Sequence, residues 1–231
     1  MLEDNEHLIS MVPVEELLRF GYEIGLNENM KVLDLACGYG TVLKVWNQAF
    51  GIQGVGVDRD TEFLSIGRKR LEDNNVTGVT LINADVTNYQ DTSKYDVVLC
   101  SETFDSIKNT FSIGEKYLKQ NGVICFQKLY SKVENPPQEL IDFDIEVLPL
   151  HKLNSIFNDL GYHMISMASD SSGMWEHYVI HWSCRRDLLR LKQNPSDEGL
   201  KDWIKKYYNM YFKYRRQYEG QALFGLKRFF D

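Results

Sequence analysis

The chain has 231 residues, of which 43% are hydrophobic and 26% charged, a balance typical of a globular protein with one sizeable domain. Its formal net charge of −7 argues against broad electrostatic capture of nucleic acid or of an anionic membrane. No apolar run is long enough to cross a bilayer, and the first residues lack the basic and apolar regions of a signal peptide. We therefore expect a cytoplasmic protein that binds neither nucleic acid nor membrane.

The first predicted element is a helix that begins near Pro13, a residue that suits the first turn of a helix. Its apolar stripe consists of Val14, Leu17, Leu18 and Ile24. Gly25 follows the stripe and predicts the end of the helix. Residues 1–12 precede this helix.

A strand, a glycine turn and a helix are predicted between Lys31 and Phe50. The strand is apolar except for Asp34, and Gly38 and Gly40 form the turn. In doubly wound α/β proteins such a unit holds a ligand beyond the carboxyl end of the strand, where the helix start offers free N–H groups. Asp34 comes just before the glycines, where a carboxylate would repel a pyrophosphate but suits a cationic ligand.

Two further acids follow predicted strands. Asp58 ends the second strand, eighteen residues after Gly40, and an acid at this spacing commonly holds ribose hydroxyls. Leu43 stands where a dinucleotide-binding G-x-G-x-x-G turn would have its third glycine, which argues against NAD. The third strand, Val79–Ile82, is followed by Asp85, which is either a ligand-binding acid or the cap of a short helix.

The fourth predicted strand, Tyr95–Cys100, is nearly all apolar, as expected when both faces of a sheet are covered. The fifth, Val123–Phe126, follows a predicted turn at 120–122, and Thr61 is predicted to cap the helix after the second strand. Residues 131–148 are predicted to form a loop. The remaining predicted elements are the helices Lys108–Leu118 and Leu150–Leu160 and the strands Tyr162–Met167 and Gln221–Leu226.

About fifty residues separate the last two predicted strands, and they indicate two amphipathic helices. Residues 173–218 contain ten Lys or Arg and five Asp or Glu, so this insert is basic on an acidic chain. It also holds ten of the 29 aromatic residues. Aromatic residues along an amphipathic helix more often pack in the core than line a binding site. The insert, however, lies at the carboxyl edge of the sheet, where a ligand would enter.

The spacing of Asp34, Gly38 and Gly40, followed by Asp58, resembles the D-x-G-x-G-x-G turn and following acid of the class I S-adenosylmethionine-dependent methyltransferases. Ala36 stands where that family usually has its first glycine. The resemblance implies a doubly wound α/β fold with a seven-stranded, mostly parallel sheet whose last strand is antiparallel. It also implies S-adenosyl-L-methionine as the cofactor.

The resemblance further implies roles for individual residues. Those expected at the cofactor are Asp34, Ala36, Cys37, Gly38, Gly40, Asp58, Arg59, Asp85, Val86 and Ser101. Those expected at the substrate are Thr103, Phe104, Tyr130, Trp175 and Tyr178. Glu102 and His7 are the catalytic candidates, as general bases for an acceptor that loses a proton. His7 qualifies because the N-terminal segment of such enzymes often folds over the cofactor; the alternative is a surface histidine.

A closer resemblance, over nearly the whole chain, is to a bacterial methyltransferase family of unassigned substrate. It rests on residues 7–21, 175–178, 194–197 and 215–220, whereas Lys128–Ser131 and the segment after the fourth strand depart from the pattern. We predict a methyltransferase core at 1–172 and 219–231, a helical lid at 173–218, and a small-molecule methyl acceptor. The alternative is a non-catalytic S-adenosylmethionine-binding module whose insert binds a protein.

His177 and His181 are four residues apart on a predicted helix, the spacing of a possible metal pair. No third ligand is apparent in the sequence, so we predict no metal site.

The four cysteines are widely spaced without a C-x-x-C pair, which favours reduced, packed thiols. The pattern does not predict an oligomeric state.

Overall fold

The computed structural model describes residues 2–101, 106–143 and 147–229, which build a central sheet with helices on both faces. The strands are β1 (Lys31–Leu35), β2 (Gln53–Asp58), β3 (Val79–Asn83), β4 (Tyr95–Cys100), β5 (Leu118–Ser131), β6 (Leu148–Pro149), β7 (Tyr162–Ser169) and β8 (Glu219–Arg228). Their order is β3-β2-β1-β4-β5-β8-β7, with β6 paired to the end of β5. Strands β1 to β5 run parallel, and β8 is antiparallel to both neighbours. The predicted fold class is confirmed, with the two-residue β6 as an addition.

The helices before the insert mostly alternate with the strands, as in a doubly wound fold, although two helices precede β1 and the described residues between β3 and β4 form no helix. They are α1 (Leu2–Glu6), α2 (Val14–Glu23), α3 (Thr41–Phe50), α4 (Thr61–Asp73), α5 (Ile107–Glu115), α6 (Gln138–Phe143) and α7 (Leu150–Asp159). Within the described part of the chain, no helix has the length and apolarity needed to cross a membrane.

Helices cover both faces of the sheet, which explains why its middle strands are so apolar. In β4 every residue except Asp96 is buried. On one face, Phe20 of α2 stacks on Trp46 of α3 with ring centroids 6.2 Å apart. On the other face, Phe111 of α5 stacks on Phe157 of α7 at 5.9 Å. The two apolar layers hold the carboxyl ends of the central strands in fixed positions.

Two long helices, residues 172–193 and 198–218, connect β7 to β8, and they are named here the first and second insert helices. The first consists of α8 (Ser172–Glu176), the π-helical segment π1 (His177–Ser183) and α9 (Cys184–Gln193). The second consists of α10 (Glu198–Met210), the π-helical segment π2 (Tyr211–Arg215) and α11 (Arg216–Tyr218). Such wide turns are rare in helices and are frequent at functional sites.

Several local predictions are wrong. Helix α1 lies in the segment expected to precede the first helix, and α6 lies in the segment expected to be a loop. Asp60 rather than Thr61 caps α4, because the Asp60 carboxylate accepts hydrogen bonds from two backbone N–H groups of the first turn. The turn predicted at 120–122 lies within β5, where the pairing register with β4 shifts.

Candidate functional site

A cavity of about 480 Å³ lies over the carboxyl ends of the central strands. It is lined by Asp34 of β1, Leu99 of β4, Gln127 of β5 and Gln221 of β8, and therefore crosses four adjacent strands. The N-terminal segment and both insert helices cover it. The end near Asp34 and Asp58 is called the acidic end, and the end near Gln127 and Gln221 the amide end.

The glycine turn after β1 forms one wall of the acidic end. Gly38 and Gly40 both have left-handed backbone angles, with φ of +55° and +69°. A Cβ at Gly38 would lie 2.7 Å from Ile9 Cδ1, and one at Gly40 would lie 2.7 Å from Leu81 Cδ2. Ala36 is also left-handed, with φ of +68°, and carries the strain of its Cβ. The turn therefore needs small residues, both for its geometry and for the close approach of its neighbours.

Asp34 is a buried carboxyl group at the acidic end, with only 3% of its surface exposed. Burial, and secondarily the charge of Asp58, raises the pKa of Asp34 to about 8. Among the described residues, no side chain or backbone N–H forms a hydrogen bond or ion pair with its carboxyl group. A bound cation would supply the missing partner and restore the ionised carboxylate.

Asp58 braces the glycine turn from the end of β2. Its Oδ2 accepts a hydrogen bond from the Gly38 backbone N–H at 2.7 Å, and its Oδ1 accepts from the Asp60 N–H at 2.9 Å. Asp58 also lines the cavity, so its carboxylate is shared between the turn and the space in which a ligand would lie.

The N-terminal segment is anchored over the acidic end by charge. Asp4 of α1 forms ion pairs with Lys44 at 2.7 Å and with Arg70 at 3.0 Å, and both cations are nearly buried. Burial alone would raise the pKa of Asp4, but the hydrogen bond and charge of Lys44 and the charge of Arg70 lower it. Thr41 adds a hydrogen bond from its hydroxyl to the His7 carbonyl at 2.8 Å. These contacts hold the segment that covers the glycine turn.

His7 lines the cavity as a result of this anchoring. Its Nδ1 lies 2.9 Å from the Glu3 carbonyl oxygen. Because a carbonyl only accepts hydrogen bonds, Nδ1 carries the proton in this contact, and Nε2 of the neutral ring is left as an acceptor. The geometry thus gives His7 the tautomer that a general base at Nε2 requires.

The insert contributes Tyr178, Tyr207 and Arg215 to the lining at the amide end. Arg215 Nε donates to Glu219 Oε2 at 2.5 Å, and its guanidinium carbon lies 5.3 Å from the centre of the Tyr207 ring. Burial, and then the neighbouring Tyr207, raises the pKa of Tyr178 to about 12, although Arg215 opposes the shift. The two tyrosine hydroxyls and the Arg215 guanidinium therefore lie close enough to influence one another at the amide end.

An aromatic clasp, defined by Tyr39, Phe63 and Trp182, joins the first insert helix to the core. Tyr39 and Phe63 have ring centroids 4.6 Å apart, and Phe63 and Trp182 6.2 Å apart. The Arg186 guanidinium lies over both Phe63 and Trp182, at 4.9 and 5.0 Å. Trp182 also stacks on Tyr178 at 5.2 Å. The clasp ties the insert to the loop and helix beside the acidic end.

Most residues expected at the cofactor lie in or beside the acidic end. Those in the cavity lining are Asp34, Ala36, Cys37, Gly38, Asp58 and Ser101. Gly40 lies just behind the lining, at the start of α3. Arg59, Asp85 and Val86 lie outside the lining. Asp85 Oδ1 accepts from the Thr87 N–H at 2.8 Å and from its hydroxyl at 2.6 Å, and these bonds lower the pKa of Asp85.

Of the residues expected at the substrate, only Tyr178 lines the cavity among those that the structure describes. Trp175 is buried instead, because its indole N–H donates to Asp170 and its ring stacks on Tyr211 at 6.1 Å. Tyr130 is buried against Gly220, where an added Cβ would lie 2.4 Å from its ring. The predicted residues Glu102, Thr103 and Phe104 lie outside the described residues.

At the amide end, the sequence interpretation identified Tyr178 but missed Gln127, Gln221, Tyr207 and Arg215. Gln127 follows the fifth predicted strand, and Gln221 begins the last one. Because side chains alternate between the faces of a strand, Gln127 shares a face with buried Cys125. The sequence therefore did contain a signal for Gln127, namely a polar residue on a strand face that is otherwise apolar. Arg215 and Tyr207 gave no such signal, because charged and aromatic side chains are common on any amphipathic helix.

The two histidines considered as a metal pair, His177 and His181, stack with ring centroids 5.1 Å apart. Within residues 2–101, 106–143 and 147–229, no three His, Cys, Asp or Glu side chains are arranged to hold a metal ion.

Comparison with known proteins supplies independent evidence. A family model described as a methyltransferase domain matches residues 26–197. The chain is 26% identical to the uncharacterized protein YjhP of Escherichia coli K12, with 97% of this chain and 96% of YjhP covered. The crystal structure of YjhP superposes with a TM-score of 0.88 at 22% identity, covering 98% and 97% of the two chains. A Geobacter sulfurreducens S-adenosylmethionine-dependent methyltransferase in complex with S-adenosyl-L-homocysteine has a TM-score of 0.85 at 24% identity, with 96% and 94% covered.

Proposed function

The chain belongs to the methyltransferase domain family and is a class I S-adenosylmethionine-dependent methyltransferase, and we propose that its methyl acceptor is a small molecule. The observation that carries the proposal is the covered cavity, which continues beyond the acidic end across β4, β5 and β8. An acceptor has to fit beneath the N-terminal segment and the insert helices, and this favours a small molecule over a polymer.

The acidic end suits the charge and shape of S-adenosyl-L-methionine. Asp34, a buried carboxyl group with no partner among the described residues, would hold the cationic methionine portion. Asp58 would hold ribose hydroxyls, and the left-handed turn at Gly38 leaves space that a side chain would fill. Asp85, whose Oδ1 is engaged by Thr87, is proposed to meet the adenine amino group through its other oxygen, beside Arg59 and Val86.

When bound, the cofactor supplies a methyl group that its sulfonium makes electrophilic. The protein's part is to position the acceptor, exclude water and, where the acceptor atom carries a proton, remove it. We assign that last role to His7, whose Nδ1 donates to the Glu3 carbonyl, which leaves Nε2 as the candidate acceptor, and whose side chain lines the cavity. Glu102 remains a second candidate that the described residues do not include.

The insert is proposed to act as a lid over the acceptor, with residues 173–218 as a unit separate from the core. Tyr178 and Tyr207 line the cavity, and Trp182 and Arg186 fasten the first insert helix to the core. Trp175, by contrast, supports the base of the insert. Tyr178→Ala should therefore reduce acceptor turnover at unchanged cofactor affinity, whereas Trp175→Ala should mainly lower the melting temperature.

The second candidate function is a non-catalytic S-adenosylmethionine-binding module whose insert binds a protein. The exposed rings of the insert, such as Trp203 with 46% of its surface exposed, are compatible with it. The continuation of the cavity past the acidic end favours the enzyme, because a binding module has no need of a second compartment beside the cofactor.

The test has two stages. Calorimetry with S-adenosyl-L-homocysteine should show binding, and Asp58→Ala should weaken it by about 1–3 kcal/mol, the usual cost of lost hydrogen bonds to a charged group. Fractionated metabolite extract is then incubated with S-adenosyl-L-methionine, and formation of S-adenosyl-L-homocysteine is measured. Methyl incorporation into added RNA, DNA or protein, but not into any low-molecular-weight fraction, would contradict the proposal. Failure to bind S-adenosyl-L-homocysteine would contradict the proposed cofactor site.

A further inference from the structure

The two ends of the cavity differ in the polar groups that they present. The acidic end has the carboxyl groups of Asp34 and Asp58. The amide end is lined by the side-chain amides of Gln127 and Gln221, the guanidinium of Arg215 and two phenols, and no described carboxylate lines it. Hydrogen-bond donors thus predominate at one end and carboxyl oxygens at the other.

The orientation of the Gln221 amide is determined by its neighbours. Its Oε1 accepts from the Met11 backbone N–H at 2.8 Å and from the Ser10 hydroxyl at 3.0 Å. Because a backbone N–H can only donate, the atom facing Met11 is the carbonyl oxygen, and Nε2 is on the other side. Gln221 is 91% buried, and its Nε2 has no hydrogen-bond partner among the described residues. Because Gln221 lines the cavity, its two N–H groups are donors that a ligand there can satisfy.

Arg215 adds positive charge to the same end. Glu219 accepts from Arg215 Nε and orients the guanidinium, whose carbon lies 5.8 Å from the centre of the Trp175 ring and 5.3 Å from that of Tyr207. Glu219 is fully buried beside it and does not line the cavity. Arg215, the cation of this pair, therefore lines the cavity, whereas its carboxylate partner Glu219 does not.

We propose that the amide end binds a carboxylate of the methyl acceptor, through Gln221 Nε2 and the Arg215 guanidinium. This inference rests on the proposed function, since it identifies a chemical class for the acceptor. Tyr178 and Tyr207, together with Leu129 and Met11, line the same end and suit an apolar or aromatic body attached to the carboxylate. The acceptor class is then an organic acid small enough to lie beneath the insert helices.

The methionine carboxylate of the cofactor is the other possible source of such a group. Three strand spacings of ~4.8 Å separate β1 from β8, so the backbones of Gln221 and Asp34 lie about 14 Å apart across the sheet. This separation favours the acceptor as the source. The experiment distinguishes the two by comparing S-adenosyl-L-homocysteine with 5′-methylthioadenosine, which lacks the amino-acid portion.

The diagnostic variant is Gln221→Glu. A glutamate keeps the oxygen that accepts from Ser10 and Met11 but replaces the donor nitrogen with a second acceptor oxygen. Gln53→Glu is the matched control, because it makes the same change at an exposed position at the start of β2, on the opposite edge of the sheet from the cavity. A second test is the pair Arg215→Gln with Glu219→Gln, which removes both charges of this buried ion pair together.

The probes are 4-hydroxybenzoate, 4-hydroxybenzamide and 4-hydroxybenzylamine, which share one ring and differ in charge. Each is titrated by calorimetry into protein saturated with S-adenosyl-L-homocysteine. We expect 4-hydroxybenzoate to bind most tightly, and Gln221→Glu and the double variant each to weaken its binding at least tenfold, with Gln53→Glu unchanged. The affinity for S-adenosyl-L-homocysteine should stay within twofold throughout.

Three outcomes would overturn the proposal. One is preference for the amine, or equal or absent binding of all three probes. The second is an affinity for 4-hydroxybenzoate that Gln221→Glu leaves unchanged. The third is a Gln221→Glu protein that binds S-adenosyl-L-homocysteine weakly but 5′-methylthioadenosine normally, which would assign the amide end to the cofactor. Wild-type protein that fails to bind S-adenosyl-L-homocysteine would instead refute the proposed function.

Discussion

Both carboxyl groups of the acidic end come from residues 34–58, which are close in sequence, whereas the amide end combines side chains from β5, β8 and both insert helices. At the acidic end, one strand, one turn and the next strand place two carboxyl groups together. At the amide end, neighbours in space such as Gln127 and Gln221 are far apart in the chain. The comparison teaches that the proposed acceptor region could change while the glycine turn stays intact, because the two ends share few residues.

The largest expected effect concerns the buried ion pair behind the amide end. Arg215→Gln removes one charge of this buried ion pair, and should lower the free energy of unfolding by about 3–5 kcal/mol. Adding Glu219→Gln should recover most of this loss. Urea denaturation of the single and double variants measures both. If both variants were as stable as the wild type, the pair would not contribute to folding, and the contrast with the acidic end would weaken.

Asp34→Asn tests the acidic end. Because the folded-state pKa of Asp34 is raised to about 8, its contribution to stability is present below pH ~4 and is lost as pH rises through 8. The ligand-free variant should therefore be more stable than wild type at pH 8, on the order of a few kcal/mol. Parallel denaturation curves at pH 5 and pH 8 measure the difference, which should widen with pH.

The same carboxyl group should couple ligand binding to proton release. The ammonium group of S-adenosyl-L-homocysteine would favour the ionised form of Asp34, so its binding at pH 7 should release about one proton. Calorimetry in buffers of different ionisation enthalpy measures this number. Asp34→Asn should abolish the release and weaken binding at least tenfold. A wild-type complex that forms without proton release would contradict the predicted role of Asp34.

Trp182→Ala tests the clasp that connects the two regions. Removing its ring from Phe63, Tyr178 and Arg186 should loosen the first insert helix and accelerate dissociation of S-adenosyl-L-homocysteine by about fivefold, equivalent to about 1 kcal/mol. Trp203→Ala is the control, since Trp203 lies on the second insert helix and stacks on Phe143 away from the cavity lining. Stopped-flow dissociation rates that change equally in both variants would argue against a specific clasp.

The smallest expected effect is at Ala36. A left-handed φ of +68° is strained for alanine and unstrained for glycine, so Ala36→Gly should raise the free energy of unfolding by about 0.5–1 kcal/mol. Ala36→Val should lower it by more than that, because a β-branched residue tolerates this conformation least. Chemical denaturation of both variants gives the sign of each change in the free energy of unfolding. A destabilising glycine would show that the loss of chain entropy exceeds the relief of strain.

The features that the sequence predicted well share a local cause. Glycines in a left-handed turn, an acid at the end of β1 and another at the end of β2 depend on neighbours within about twenty-five residues. The apolar runs of β1 and β4 likewise reveal a covered parallel sheet. The acid at position 85 was equally visible, although its observed bonds to Thr87 are those of a local turn.

By itself, the sequence determined the fold class, the glycine turn and the acids around it, because backbone sterics and strand periodicity act over short stretches of chain. Only the tertiary structure decided that Trp175 packs while Tyr178 faces the cavity, since both belong to one amphipathic stripe and differ in what lies opposite them. The same holds for Gln221, whose donor nitrogen is aligned by Met11 and Ser10 from the other end of the chain. Long-range packing sets these orientations, and a local sequence pattern does not predict which distant residues a side chain will contact.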